Sequence, residues 1–235
     1  MNEILEIESL QLNQIYGRSM FRPKHISDNI DYIKDIDKLK HSDFYFICVS
    51  DDQILNVSKK LNVNDRVVVH LSGSTEMSIL LHHQNFGVFY PLQTFSYESE
   101  LSFKEIPILI EANNKKTLAK INTLAKLFSR KVRKMNSKKR LICHLSATIA
   151  NNFSNHMIVT AEKILENNKI DKKLIRPLIL ETIKKLQKMN AVDAQTGPAV
   201  RNDLLTIKKH MKQLNESEFL NLYKEITKSI MSNEL

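Results

Sequence analysis

The stretch RVVVHLSGS, residues 66–74, decides the fold. Three consecutive valines leave no alternation of apolar and polar positions, and a strand of that kind is covered on both faces, as at the centre of a parallel sheet. The run then stops at Ser72, Gly73 and Ser74, small residues that let the backbone turn at the carboxyl edge where open α/β sheets collect ligands. FYFICVS (44–50) repeats the pattern upstream, an apolar run followed by Val49, Ser50 and Asp51 at the same expected edge. LQLNQIY (10–16), GVFYP (87–91) and IPILIEA (106–112) are further β-branched or aromatic runs. Between them, Ile54, Val57 and Leu61, and then Leu118, Ile121, Ala125 and Phe128, each fall on a single helical face. Strands alternating with helices predict an α/β domain with a parallel sheet.

Strand signals end near residue 136, and only helical periodicity follows. The sequence therefore predicts an α/β domain over 1–136 and an all-α domain over 137–235. In the second, His144, Thr148, Asn151 and Asn155 stack on one helical stripe beside Leu145, Ile149, Phe153 and Met157. Asparagine is a weak helix former, so the polar stripe either faces solvent or lines a cleft. Further on, QTGPAVRNDLLTIKKH (195–210) sets a Gly-Pro turn before a helical pattern, with Asp203 at its positive end. Arg201 is either a clamp for an anion or the partner of Asp203 in an ion pair that locks the turn.

Composition narrows the classes. No apolar run is long enough for a membrane helix, and MNEILEIES carries no basic-then-apolar leader, so a cytoplasmic protein without a membrane partner is expected. Cys48 and Cys143 sit in apolar segments and read as buried thiols; no metal site is expected. The net charge is +9, and KLFSRKVRKMNSKKR (126–140) concentrates basic residues without interleaved aromatics after Phe128. That run reads as a solvated face rather than a nucleic-acid surface. No HExxH, Walker loop or Ser-His-Asp order supports hydrolytic or triphosphatase chemistry.

VVVHLSGS (67–74), FYPLQTFS (89–96), HLSATIANNFSNHM (144–157) and TGPAVRNDLLTIKKH (196–210), in that order, resemble a family of Rossmann-like oxidoreductases that carry a C-terminal domain of unknown function 2520. Its wider relatives include deazaflavin-dependent NADP reductase, pyrroline-5-carboxylate reductase and the hydroxyacid dehydrogenases. The resemblance implies a Rossmann-type sheet followed by a helical domain, an interdomain cleft, and hydride transfer between NADP, or alternatively NAD, and a small polar substrate, expected to be anionic. Arg18, Val49, Ser50, Asp51, Ser72 and Gly73 become the candidate cofactor residues. Arg18, in YGRS after a strand, suits the 2′-phosphate of NADP or else is a solvated turn arginine. His144 becomes the proton donor, with Asn151 and Asn155 orienting substrate and Gln93, Thr94, Arg201 and Asp203 binding it. His70 competes, but a histidine inside an apolar strand reads as a hydrogen-bonded core residue. A homodimer through the helical domain is a further expectation.

The sequence departs from the family at one place. The strand and GxGxxG turn that open a dinucleotide fold are not in it; MNEILEIES reads as the end of the helix that follows such a turn, and LQLNQIYGRS as the second strand. The first strand and helix of the Rossmann unit are therefore expected to be absent. The alternative function is a non-catalytic ligand-binding or interaction protein on a degenerate Rossmann scaffold.

Overall fold

The computed structural model describes residues 2–19, 21–24, 26–95, 102–215 and 217–232. Ser96, the last residue of the FYPLQTFS motif, lies outside the described residues. Two short strands, β1 (Ile15–Tyr16) and β2 (Tyr32–Ile33), pair in parallel. Five more form the main sheet in the order β3 (Phe44–Ile47), β4 (Val67–His70), β5 (Asn85–Pro91), β6 (Ile108–Ala112) and β7 (Val132–Lys134).

The consecutive valines of β4 divide between two cores. Val67 and Val69 pack with Phe89, Ile108, Ile110 and helix α3 (Lys115–Phe128), which buries Ile121, Leu124, Ala125 and Phe128. Val68 packs on the other face with Tyr45, Ile47, Leu80, Phe86 and Ile54 of helix α2 (Ile54–Lys60). Burial on both sides is why the run shows no alternation. Asn114 starts α3, its side chain accepting from the Thr117 amide. At the N-terminus, helix α1 (Asn2–Leu5) and the turn after it bring Ile4, Ile7 and Leu10 against the α3 core.

The sheet is parallel from β3 to β5 and again from β6 to β7, but β6 runs antiparallel to β5. A parallel return needs a crossover of a dozen or more residues, usually helical. Here the Leu92 amide donates to the Pro107 carbonyl at 2.8 Å, which extends the antiparallel pairing of β5 and β6 by one bond. LQLNQIY shrinks to the two residues of β1, because β2 offers it only two partners. No ladder hydrogen bond joins the two sheets among the described residues. Side chains link them instead: Asn13 Nδ2 donates to Ser42 Oγ at 2.9 Å, and the Lys40 amide donates to Gln14 Oε1 at 2.5 Å.

From residue 137 the described chain is helical: α4 (Ser137–Ala147), a π-helical stretch (Thr148–Phe153), α5 (Ser154–Asn167), α6 (Arg176–Leu186), α7 (Ala191–Ala194), α8 (Leu204–Gln213) and α9 (Leu220–Met231). The chain divides into two compact units, 1–151 and 152–235, so α4 belongs with the sheet. In the second unit Thr160, Ala199 and Ile207 are buried, whereas α6 buries nothing and exposes Leu178, Leu180, Ile183 and Leu186.

Two readings are corrected. The basic run 126–140 is not a uniform solvated face. Phe128 and Ser129 are buried, Lys131 Nζ pairs with Glu105 at 2.9 Å, Val132–Lys134 is an outer strand, and Arg140 is buried. The thiols are not both fully buried either: Cys48, one residue past β3, has exposed surface although burial around its thiol pushes its pKa up to about 11, and Cys143 is half-buried with Sγ 3.5 Å from Met135 Sδ.

Arg140 ties α4 to the sheet. Its Nη1 donates to Glu111 Oε2 on β6 at 2.5 Å, and its Nη2 donates to the Thr75 carbonyl at 2.5 Å and to Ser137 Oγ at 3.1 Å. Ser137 Oγ donates to the same Glu111 oxygen at 2.8 Å and accepts from the Met77 amide at 3.0 Å. Removing one member of a buried pair leaves the other charge uncompensated. Arg140→Met is therefore expected to lower unfolding free energy by about 3–5 kcal/mol in urea denaturation, against a change within about 0.5 kcal/mol for the exposed Lys139→Met.

Candidate functional site

Because β3, β4 and β5 are parallel, their carboxyl ends open on one edge, and the turns that leave them face each other. The turn after β4 is held rigidly. The Ser72 amide donates to His70 Nδ1 at 3.1 Å, and Ser72 Oγ accepts from the amides of Ser74 at 3.2 Å and Thr75 at 2.9 Å. His70 is fully buried, and burial first, then the nearby Arg140 charge, pushes its pKa down to about 4. A neutral ring that accepts at Nδ1 carries its proton on Nε2, which has no partner among the described residues. His70 is thus a buried, hydrogen-bonded turn lock, as an apolar strand position suggests.

Around this turn gather several expected residues. Ser74 Oγ donates to Asp51 Oδ2, joining the turn after β3 to the turn after β4. Ser50 precedes the 3-10 turn Asp51–Gln53 without a side-chain capping bond, and Val49 and Ser50 are exposed at the edge. Ser72 and Gly73 are buried at its floor. His144 on α4 lies above: its Nδ1 is 3.0 Å from Tyr90 Oη, near the end of β5. Both rings close over Gly73, where a Cβ would stand 2.7 Å from His144 Nδ1 and 2.7 Å from Tyr90 Cζ. Only glycine allows this approach.

Tyr90 is the residue that sequence reasoning missed. In GVFYP it reads as one more strand-forming aromatic, although its half-buried place in a strand otherwise almost wholly buried marks the side chain that turns to the edge. Burial raises the pKa of its phenol, which stays protonated and able to donate.

Arg18 follows β1 on the exposed surface and makes no hydrogen bond or ion pair among the described residues. Asp52 is held below the usual carboxylate range by hydrogen bonds from Gln53 and Ser50 and, more weakly, by the charge of Arg18. Gln93 and Thr94 are exposed after β5, where Gln93 Oε1 accepts from the Thr94 amide at 2.9 Å. Asn151 is exposed on the π-helical stretch. Single π-helical turns recur at functional sites.

In the second unit Asn155 is exposed on α5. The TGPAVRND turn is built differently from an Arg-Asp lock. Gly197 takes φ +114°, Asn202 takes φ +54°, and Asp203 caps α8 by accepting from the Thr206 amide at 3.0 Å and from Thr206 Oγ1 at 2.7 Å. These bonds lower the Asp203 pKa, with Arg201 a lesser cause. Arg201 is exposed and makes no ion pair among the described residues.

Residues 106–230, more than half of the chain, match the family model described as Domain of unknown function (DUF2520). Among solved structures, the fold is similar to that of the "putative NADP oxidoreductase" BF3122 from Bacteroides fragilis, with 29% identity, a TM-score of 0.88, and 98% of this chain and 92% of that chain covered. It is also similar to protein TM1727 from Thermotoga maritima (24% identity, TM-score 0.76, 99% and 95% covered). A third is the pyrroline carboxylate reductase of Plasmodium falciparum, solved with NADP bound (13% identity, TM-score 0.59, 97% and 92% covered). No protein of curated function matches the sequence. The fold is Rossmann-like with a helical C-terminal part.

The lowered pKa of His70 has a pH signature. The ring titrates near 4 when folded and near 6.5 when unfolded, so on acidification the unfolded chain takes up the proton first. Stability from this group is whole above about pH 6.5 and is lost as pH falls toward about 4, a total on the order of 3 kcal/mol. His83, pushed down to about 4 by burial and then by His82, adds to the same limb. His70→Asn, which keeps an acceptor for the Ser72 amide, is therefore expected to show a shallower loss between pH 7 and pH 4.5 than wild type in urea titrations.

Proposed function

We propose, on the premise that this chain belongs to the DUF2520 family, that it is a nicotinamide-dependent reductase, with NADP as cofactor and a small polar, anionic molecule as substrate. The observation that carries the reading is the Tyr90–His144 pair closed over Gly73 at the carboxyl edge of β3, β4 and β5. The residues present fit NADP at two places. Arg18, an exposed guanidinium without a protein partner among the described residues, suits the 2′-phosphate, and the exposed turn at Val49 and Ser50 leaves the edge open to the nucleotide beside the Tyr90 and His144 rings that cover Gly73. When bound, the nicotinamide supplies hydride. The described residues offer no glycine-rich turn for the pyrophosphate, and no step is drawn through that contact.

The chain's own residues handle the proton. Tyr90 donates to His144 Nδ1, which leaves the His144 proton on Nε2. As that proton passes to a carbonyl or imine substrate, the Tyr90 phenol proton moves to Nδ1, and the phenolate is reprotonated from solvent. Ser74 and Asp51 hold the two edge turns together, so the donor has a fixed floor. We assign the orienting of substrate to the amides of Asn151 and Asn155, with Gln93 and Thr94 at the end of β5. The holding of a substrate carboxylate or phosphate falls to Arg201, because Asp203 is engaged in capping α8 and leaves that guanidinium available.

A second copy of this chain completes the reading. An 11-residue helix that buries none of its apolar residues among the described residues is marginal in water. We therefore assign α6 to a homodimer contact, tested by sedimentation equilibrium. Wild type is expected to be a dimer and Leu178→Glu/Ile183→Glu a folded monomer; a monomeric wild type removes the dimer. The alternative is a non-catalytic ligand-binding or interaction protein on the same scaffold.

Cofactor binding separates the two readings. NADPH is expected to raise the thermal midpoint of the intact protein by mass action, with Arg18→Ala weakening NADPH more than NADH. Assayed with NADPH against small keto and imino acids, His144→Gln is expected to lose about 10²–10⁴-fold in kcat, and Tyr90→Phe to shift the pH profile of kcat. Indifference of the folded wild type to both nucleotides overturns the reductase in favour of the non-catalytic reading.

A further inference from the structure

The amino end of the sheet carries a cluster that the reductase reading does not use. Ser58 lies late in α2, and His82 and His83 form the turn that leads into β5. Ser58 is fully buried and His83 nearly so, whereas His82 is exposed. Ser58 Oγ lies 3.0 Å from His82 Nε2 and 2.9 Å from His83 Nε2, and the two rings stand 4.2 Å apart. Two imidazole nitrogens on neighbouring residues therefore converge on one oxygen.

A structural lock between α2 and this turn needs one histidine. One hydroxyl has one proton, so Ser58 donates to one ring and accepts from the other. The exposed His82 gains nothing by burial there, yet it directs the same nitrogen to the same point as its buried neighbour. From this convergence we propose that His82 Nε2, His83 Nε2 and Ser58 Oγ bind a divalent transition metal of the Zn²⁺, Ni²⁺ and Cu²⁺ class.

The donor chemistry selects that class. Neutral imidazole suits zinc, nickel and copper, while magnesium and calcium demand carboxylate and carbonyl oxygens. Nitrogen–metal bonds of about 2.0–2.1 Å require the rings to close on the ion, and the exposed His82 is free to move for this purpose. Among the described residues no group of three or more His, Cys, Asp or Glu comes together. The remaining coordination positions are therefore filled by water from the His82 side. The bound ion fastens α2 to the turn before β5, away from the carboxyl edge, and its binding does not depend on the reductase reading.

The test uses the intact protein and the metals alone. Isothermal titration with ZnCl₂, NiCl₂ and CuCl₂ is expected to show one equivalent per chain, with MgCl₂ silent, and Co²⁺ is expected to develop visible absorption that Zn²⁺ displaces. His82→Gln, at an exposed position, is expected to weaken Zn²⁺ roughly ten- to a hundredfold. Ser58→Ala, checked for folding by circular dichroism, is expected to weaken it as well, and His41→Gln and His156→Gln to leave it unchanged. Folded wild type that takes up none of the three metals overturns the proposal. So does a folded His82→Gln that binds Zn²⁺ as tightly as wild type.

Discussion

The buried contact between Arg140 and Glu111 is the constraint on which the carboxyl edge depends. It fastens the first turns of α4 to β6, while the second arm of the guanidinium grips the Thr75 carbonyl in the turn after β4. Three elements distant in sequence are thus fixed to one planar group. His144 follows Arg140 by four residues and so lies on the same helix face. Its closeness to Tyr90 and Gly73 is therefore a consequence of where Arg140 is held. A charge buried to this depth contributes little net stability when compared with apolar packing, but it admits only one arrangement that satisfies it. What it supplies here is position.

How much of this was legible in the sequence depends on how local the cause was. Val67–His70 declares itself because burial on both faces suppresses alternation, and α3 because its apolar residues recur at helical spacing. The Asp203 turn was half readable: a helix start was visible, but whether the carboxylate served the helix or Arg201 depended on side-chain geometry that spacing does not set. β2 and β7 were not readable. β2 is two residues long, and β7 lies in a basic run whose composition argues for solvent. The reversal of β6 was equally hidden, since nothing in IPILIEA states the direction in which it is approached. That Ser50, Asp51, Ser72 and Gly73 follow strand ends was readable because the ends of apolar runs are predictable. Tyr90 was not, because its role comes from a partner more than fifty residues away. The same holds for Ser58 and the paired histidines.

The likeness to the Bacteroides fragilis structure exceeds that to the Plasmodium reductase, which is one of fold alone. Here three parallel strands place their carboxyl ends on one edge. In this chain the edge is lined by hydroxyls and a carboxylate from β3 and β4 and by the tyrosine of β5, with a histidine delivered from a helix. A fold of this kind sets where such an edge lies, and the side chains on it are what differ between proteins that share it.

The outer strand β7 has a consequence for the behaviour of the protein in solution. Its exposed Arg133 and Lys134 stand on the margin of the sheet where unpaired backbone groups would otherwise accept a strand from another molecule. Two such margins brought together would oppose cation to cation, so the sheet is self-repelling along that side. At this point the basic run opposes edge-to-edge aggregation.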